Sequence, residues 1–319
     1  MENITVPIYL ISGFLESGKT SFLNFTLGQE YFAIDGRTLL ILCEEGEEEY
    51  DEEMLEENNV AVEVLEDEAD LTYERLMSMA VIHHPERVVV EYNGMWLASK
   101  FREMKMPKGW GIDQEITCVD ASTYQVYVNN MKSQFMDMVR GADMVIFNRC
   151  RKEDPLASFR RGIKVTNPAA EVIFEDEAGE IDDIFAEEMP FDLSASVVEI
   201  LPEDYGIWYV DSLDHPEKYD GKTVRLKAKA NIPPRRAGGN NSFALGRMAM
   251  TCCSDDMQFL GYLCVYEKTG SLRTGDWLDV TAKVSVESRR EYGGEVGLVL
   301  YPTVVKKCEP LENDLVTFN

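Results

Sequence analysis

The sequence predicts an α/β fold, a mostly parallel sheet with helices on both faces, followed by a small antiparallel β-barrel. Three observations carry that prediction. The stretch IYLISGFLESGKTSFL, Ile8 to Leu23, reads as a buried strand, a glycine-bounded loop and the start of a helix. Short apolar runs then alternate with helical spacings as far as about residue 176, the pattern of strand–helix–strand units. From about residue 196 the helical periodicity fades, and alternating strands separated by glycine turns take over.

In the first stretch, Gly13, Gly18, Lys19 and Thr20 fit the phosphate-loop spacing G-x-x-x-x-G-K-S/T without a mismatch. Glycines let successive backbone N–H groups turn inward around a phosphate, and the helix that follows adds its positive dipole end. Lys19 is placed to reach the β- and γ-phosphates, and the Thr20 hydroxyl to ligate Mg²⁺. Glu16, Ser17 and Ser21 complete the nucleotide-binding loop with them. The strand before and the helix-forming SFLNFTL after are the context that separates such a loop from a chance match. The first half therefore reads as a P-loop NTPase sheet.

The elements after it follow in order. RTLLILC (Arg37 to Cys43) is a second buried strand, and an acidic run follows at Glu44, Glu45, Glu47, Glu48, Glu49, Asp51, Glu52 and Glu53. Most of that run reads as a solvated helix face or a mobile loop. Its place after a strand also puts it at the carboxyl edge of the sheet, where ligands bind, and makes Glu44 a switch-loop candidate. NVAVEVL alternates as a strand, and Leu71 to Ile82 has helical spacing. RVVVEYNG ends a buried strand in Glu91, where a carboxylate can hold Mg²⁺ or its water. Strands at Glu115 to Asp120, Asp143 to Asn148 and Ala170 to Asp176 finish the sheet, with one helical segment expected around Tyr124 to Val139.

In the second half six strands are expected: GIWYVD, KTVRLKAKA, SFALGRMAMTCC, QFLGYLCVY, DWLDVTAKVSV and VGLVLYPTVVK. That number suggests a small OB-like barrel. Strand alternation sets Met248, Met250 and Cys252 on a core face and Arg247, Thr251 and Cys253 on the other. Cys253 with Asp255 or Asp256 is then half of a transition-metal site. The expected division is 1–195 for the nucleotide domain and 196–319 for the barrel with its Cys-Cys-Ser-Asp-Asp segment.

Composition bounds the partners. With 58 acidic against 31 basic residues the net charge is −27, which repels nucleic acid and anionic membranes. Arg235, Arg236, Arg247, Arg289 and Arg290 give the barrel some positive charge against that total. No run approaches the roughly 18–20 apolar residues of a membrane helix, and no signal pattern precedes the phosphate loop. Seven cysteines, scattered and odd in number, are not a disulfide framework, so a reducing cytoplasm is the expected location.

ISGFLESGKTSFLN, CEEGEEEYD, VVVEYNG, DMVIFNRC and TNPAAEVIFED stand in an order and spacing that resembles the CobW-like P-loop GTPases, relatives of the nickel-insertion GTPases. Gly13, Phe14, Leu15, Gly18, Lys19, Thr20, Leu23 and Asn24 match the family's GFLGAGKTTLLN. Its Asn-Glu-Phe-Gly is similar to Cys43 to Gly46, and its Glu-Ser-Ser-Gly to Glu91 to Gly94. The resemblance implies a GTPase that passes a transition metal, often zinc or cobalt, to a client protein. It also implies Asn148 and Arg149 as nucleobase residues. Three departures accompany it. LEDEADL (Leu65 to Leu71) stands where the family has Cys-x-Cys-Cys, putting hard carboxylates in place of thiolates. The Asn-Lys-x-Asp motif is Asn148-Arg149-Cys150-Arg151, with Asp154 three residues on, which leaves GTP against ATP open. The family's usual C-terminal domain is not recognisable. Instead DHPEKYDGKTVRL and RMAMTCCSDD resemble the soluble C-terminal domain of bacterial membrane proteins that partner permeases, which implies a permease system as a further partner. A Mg²⁺-dependent NTPase and a non-hydrolysing, nucleotide-gated adaptor are both compatible with these residues.

Overall fold

The structure is a computed structural model that describes residues 4–44, 46–181, 189–234, 241–250 and 257–316. Its contacts divide the chain into two compact units. One comprises Met1–Leu156 with Ala169–Asp183, the other Ala157–Pro168 with Ile184–Asn319.

The first unit is built on strands β1 (Val6–Ser12), β2 (Thr38–Leu42), β3 (Val60–Val64), β4 (Arg87–Glu91), β5 (Trp110–Asp120), β6 (Met144–Asn148), β7 (Glu171–Asp176) and β8 (Gly179–Glu180). They lie in the order β3-β2-β4-β1-β5-β6-β7-β8, parallel from β1 to β7, with β8 folding back as a hairpin. Continuous apolar runs such as TLLIL and VVV suit central parallel strands, because helices cover both faces and neither side meets water. Ile11, Leu23, Leu40, Val89, Ile116 and Ile146 form the resulting core.

Helices α1 (Lys19–Leu27), α2 (Glu52–Glu57), α3 (Tyr73–His83), α4 (Ala98–Glu103), α5 (Ala121–Asn130), α6 (Lys132–Gly141) and α7 (Leu156–Thr166) occur between the strands along the chain. The one helix expected around Tyr124 to Val139 is two, broken at Met131, whose backbone (φ −133°, ψ 36°) is not helical. Part of the acidic run is α2, capped by the Asp51 carboxylate on the N–H groups of Glu53 and Met54.

The second unit contains a closed five-strand barrel. Strands β9 (Val198–Glu199), β10 (Thr223–Asn231), β11 (Ser242–Met250), β12 (Met257–Val265), β13 (Trp277–Ser288), β14 (Val296–Lys307) and β15 (Leu315–Val316) run β15-β11-β12-β14-β13-β10-β9, and an extra β10–β11 pairing closes the ring. Every junction of the ring is antiparallel except β12–β14, which is parallel. GIWYVD, expected as a strand, is instead helix α8 (Tyr205–Asp214). Tyr205, Trp208, Tyr209 and Ser212 are its buried face, at helical spacing, and an unbroken apolar run hides that period. Tyr262 OH meets Ser212 Oγ at 2.7 Å, and Tyr205 OH donates to Leu260 O at 2.9 Å, which fixes α8 on the barrel strand.

The expected faces of β11 are reversed. Arg247 is 2% exposed, whereas Met248 is half-buried and Met250 exposed. Alternation gives the two faces but not which one is inner, and the guanidinium is buried because backbone carbonyls receive it. It donates to Pro202 O, Asn313 O and Leu315 O. The rest of that segment, including Cys252, Cys253, Asp255 and Asp256, lies outside the described residues.

Candidate functional site

The site forms where β1 runs into α1. Gly18 holds the cap position of α1 at φ 91°, a conformation that side chains disfavour, and a Cβ there would lie 2.4 Å from Asn148 Nδ2. Gly94, just past β4, packs its Cα side on the loop, and a Cβ would stand 2.4 Å from Gly13 O. Two glycines distant in sequence thus let the chain close on the phosphate loop. Ser17 Oγ and Asn148 Oδ1 are buried here without a hydrogen-bond partner among the described residues. Unpaired buried polar atoms of this kind fit a place that a polar ligand completes.

Lys19 is buried, and its Nζ donates to Gly13 O and Phe14 O at 3.0 Å each and to Glu44 Oε2 at 2.6 Å. Thr20 Oγ1 donates to Glu91 Oε1 at 3.0 Å, and the Tyr50 hydroxyl donates to the other Glu91 oxygen. Thr20 and Glu91 therefore set hard oxygen donors side by side, a donor set that fits Mg²⁺. Burial pushes the Glu91 carboxyl up, partly offset by the Tyr50 hydrogen bond, the Lys19 charge and the Thr20 hydrogen bond.

The acidic segment is not merely solvated. Besides Glu44 on Lys19, Glu48 accepts from Ser21 Oγ, Glu16 Oε1 accepts from Glu47 N at 3.0 Å, and Asn24 Nδ2 donates to Glu49 O at 3.1 Å. The cavity left among Lys19, Thr20, Glu44, Glu48 and Glu91 measures about 20 Å³, close to the room of one water. The carboxylates of this segment crowd Lys19 and Thr20.

Asn148 donates from Nδ2 to Ser17 O at 2.7 Å, joining the end of β6 to the loop. Arg149, at φ 54°, donates to Glu16 O at 2.9 Å and to Asp120 Oδ2 at 2.5 Å. Burial would raise the Asp120 carboxyl, but the Ser122 and Arg149 hydrogen bonds outweigh it and hold the group below its ordinary value. The structure thus brings Gly13, Glu16, Ser17, Gly18, Lys19, Thr20, Ser21, Glu44, Glu91, Asn148 and Arg149 to one end of the sheet. Tyr50 and Asp120 escape a sequence reading. Tyr50 is the one aromatic in the acidic run, and Asp120 ends a strand on the ligand-binding edge, signals that exist but are faint.

A soft-metal site does not assemble among the described residues, where no group of three or more His, Cys, Asp or Glu side chains converges. In the segment Leu65 to Leu71, Glu68 pairs with Lys100 at 2.8 Å. The thiols of Cys43, Cys118 and Cys264 are buried and pushed up to about 12, far from the thiolate that a metal takes. No helix among the described residues is long and apolar enough to cross a membrane.

If Thr20 and Glu91 hold Mg²⁺, the raised Glu91 carboxyl makes that binding sensitive to pH. A proton and the cation compete for the same oxygens, so Mg²⁺-dependent nucleotide affinity falls on acidification while ordinary carboxylates are still ionised. The ligand-free fold shows the opposite sign. A carboxyl raised on folding stabilises below its unfolded value, and that stability is lost as pH rises through the folded one. Titrating Mg²⁺-dependent binding across mildly acidic pH checks this, and Glu91→Gln should abolish the dependence.

The nucleotide-binding domain model of the CobW/HypB/UreG family matches residues 7–174, more than half of the chain, and the DUF1980 C-terminal domain model matches residues 179–310. Among solved structures, the chain is similar to the hydrogenase maturation factor HypB from Archaeoglobus fulgidus, at 14% identity over 55% of this chain and 84% of that one, with a TM-score of 0.40. It is similar to the Zn(II)-bound YjiA GTPase from E. coli at 16% identity, over 73% of this chain and 74% of that one, with a TM-score of 0.41. A Zn(II)-bound triple mutant of the YjiA GTPase gives 14% identity over 82% and 88%, with a TM-score of 0.43. No curated protein matches the chain.

Proposed function

We propose, for a chain that belongs to the CobW/HypB/UreG family of nucleotide-binding domains, the activity of a Mg²⁺-dependent nucleoside triphosphatase with GTP as its substrate. Binding and hydrolysis are coupled to the handling of a transition metal or to the docking of a client or permease partner. The single observation that carries this reading is the meeting of Lys19, Thr20, Glu44 and Glu91 at one cavity.

Each residue has a task that its chemistry fits. Lys19, steered by the Gly13 and Phe14 carbonyls, presents its charge to the γ-phosphate. Thr20 and Glu91 would hold Mg²⁺, which when bound neutralises charge on the β- and γ-phosphates. Glu44, paired with Lys19, is the switch: it leaves when phosphate takes its place. Asn148 and Arg149 line the way to the base. Cys253 with Asp255 and Asp256 is the proposed contact for a transition-metal cargo such as zinc.

The adaptor reading rests on two departures from the family pattern, LEDEADL at Leu65 to Leu71 and Arg151 in the Asn-Lys-x-Asp motif. Both readings require nucleotide binding. Titration of the full chain with fluorescent GTP and ATP, with and without Mg²⁺, tests that shared step. Mg²⁺-enhanced GTP binding is expected, and the lack of any triphosphate binding would remove the proposal.

A further inference from the structure

We propose that Asp176, at the carboxyl end of β7, reads the nucleobase and gives this chain a preference for guanine. The inference rests on the nucleotide-binding reading above. A cleft of about 610 Å³ is lined by Ser122, Arg149, Cys150, Arg151, Asp176 and Glu177, a size that accommodates a ligand. Arg149 lines both this cleft and the phosphate cavity, which places the two side by side. A nucleotide with its phosphates at Lys19 has its base in the cleft.

Guanine presents two neighbouring donors, N1–H and the N2 amino group, which a carboxylate accepts together. Adenine presents an acceptor at N1, which a carboxylate repels. Two acids line the cleft, Asp176 and Glu177, while Asp120 and Asp154, near residues 148–151, are already committed. Asp120 is spent on Ser122 and Arg149. Asp154 accepts from Arg151 N at 2.7 Å. Asp176 remains, and it is oriented: Ala178 N donates to its Oδ1 at 2.7 Å, which leaves Oδ2 and the second lone pair of Oδ1 for the two guanine donors. The ladder continues past the strand ends, with Cys150 N donating to Glu175 O at 2.9 Å, and so sets Asp176 opposite Cys150, between Arg149 and Arg151. Glu177 lines the same cleft, but no backbone donor fixes it. The planar Arg149 guanidinium, pinned by Glu16 O and Asp120, offers the base a stacking face.

The test is competition of GTP, ATP and XTP against a fluorescent triphosphate on the full chain. Xanthine replaces the guanine amino group with a carbonyl, which an amide NH₂ can satisfy and a carboxylate cannot. Asp176→Asn should weaken GTP by about tenfold or more, leave ATP within about twofold, and strengthen XTP by about tenfold. Glu177→Gln should leave all three unchanged. An unaltered GTP affinity in Asp176→Asn, a parallel loss of GTP and ATP, or the same pattern in Glu177→Gln overturns the assignment to Asp176 while nucleotide binding stands. A wild-type chain that binds none of the three overturns both.

Discussion

Lys19→Ala lowers triphosphate affinity at least ~30-fold, about 2 kcal/mol, and Glu44→Gln raises it roughly tenfold. The two effects have opposite sign because Glu44 and phosphate compete for the charge of Lys19. Lys19 is buried and held by two carbonyls, so it cannot swing out to water when phosphate is absent. Glu44 supplies the anion instead, at 2.6 Å. Removing the cation deletes a charge-assisted contact to phosphate. Neutralising the carboxylate removes the internal competitor and loosens the segment that fills the cavity. Isothermal calorimetry with GTP and Mg²⁺ reads both. Wild-type affinity in Lys19→Ala, or weaker binding in Glu44→Gln, would contradict the described roles.

Arg247→Met destabilises the second unit by about 3–5 kcal/mol. Replacing a buried ion pair with an apolar side chain is often neutral, since both charges leave together. Arg247 differs, for its partners are the backbone carbonyls of Pro202, Asn313 and Leu315, which remain when the guanidinium goes. Burial without a carboxylate hydrogen bond lowers its pKa, while the Tyr205 ring below it, 5.4 Å from the guanidinium, offers cation–π support. Loss of the side chain removes at once its ties from β11 to the chain at β15 and to the segment before α8. Urea denaturation measures the change. Arg225→Met, which removes an exposed arginine paired with Asp279 and Glu199, is the control and should cost far less. Equal stability in the two variants would refute the clamp.

The phosphate loop is legible in the sequence because its chemistry is local: strand, glycines, lysine and hydroxyl follow one another within Ile8 to Leu23. Glu91 is legible for a similar reason, standing at the end of an apolar run. The contacts of Glu44 and Tyr50 are not, because they depend on where a loop folds after β2, and charge alone reads that run as solvated. Asp120 and Arg149 meet across neighbouring strands, β5 and β6, so sheet order had to be known before their pairing could be. In the second unit the barrel follows from strand count, while α8 is hidden by an apolar run without polar punctuation. Arg247 marks the limit of alternation. Charge places an arginine outside by default, and only carbonyls from distant segments make it an inner residue.

Single-turnover hydrolysis of γ-labelled GTP by the full chain, wild type against Glu91→Gln, with and without Mg²⁺, tests the central claim most directly. If Lys19, Thr20 and Glu91 form a Mg²⁺-dependent hydrolytic site, the wild type releases phosphate only with Mg²⁺. Glu91→Gln then loses most of that release, although GTP still binds. Tight GTP binding with no phosphate release in the wild type, or release indifferent to Mg²⁺ and to Glu91→Gln, would contradict the enzyme and leave a nucleotide-gated adaptor.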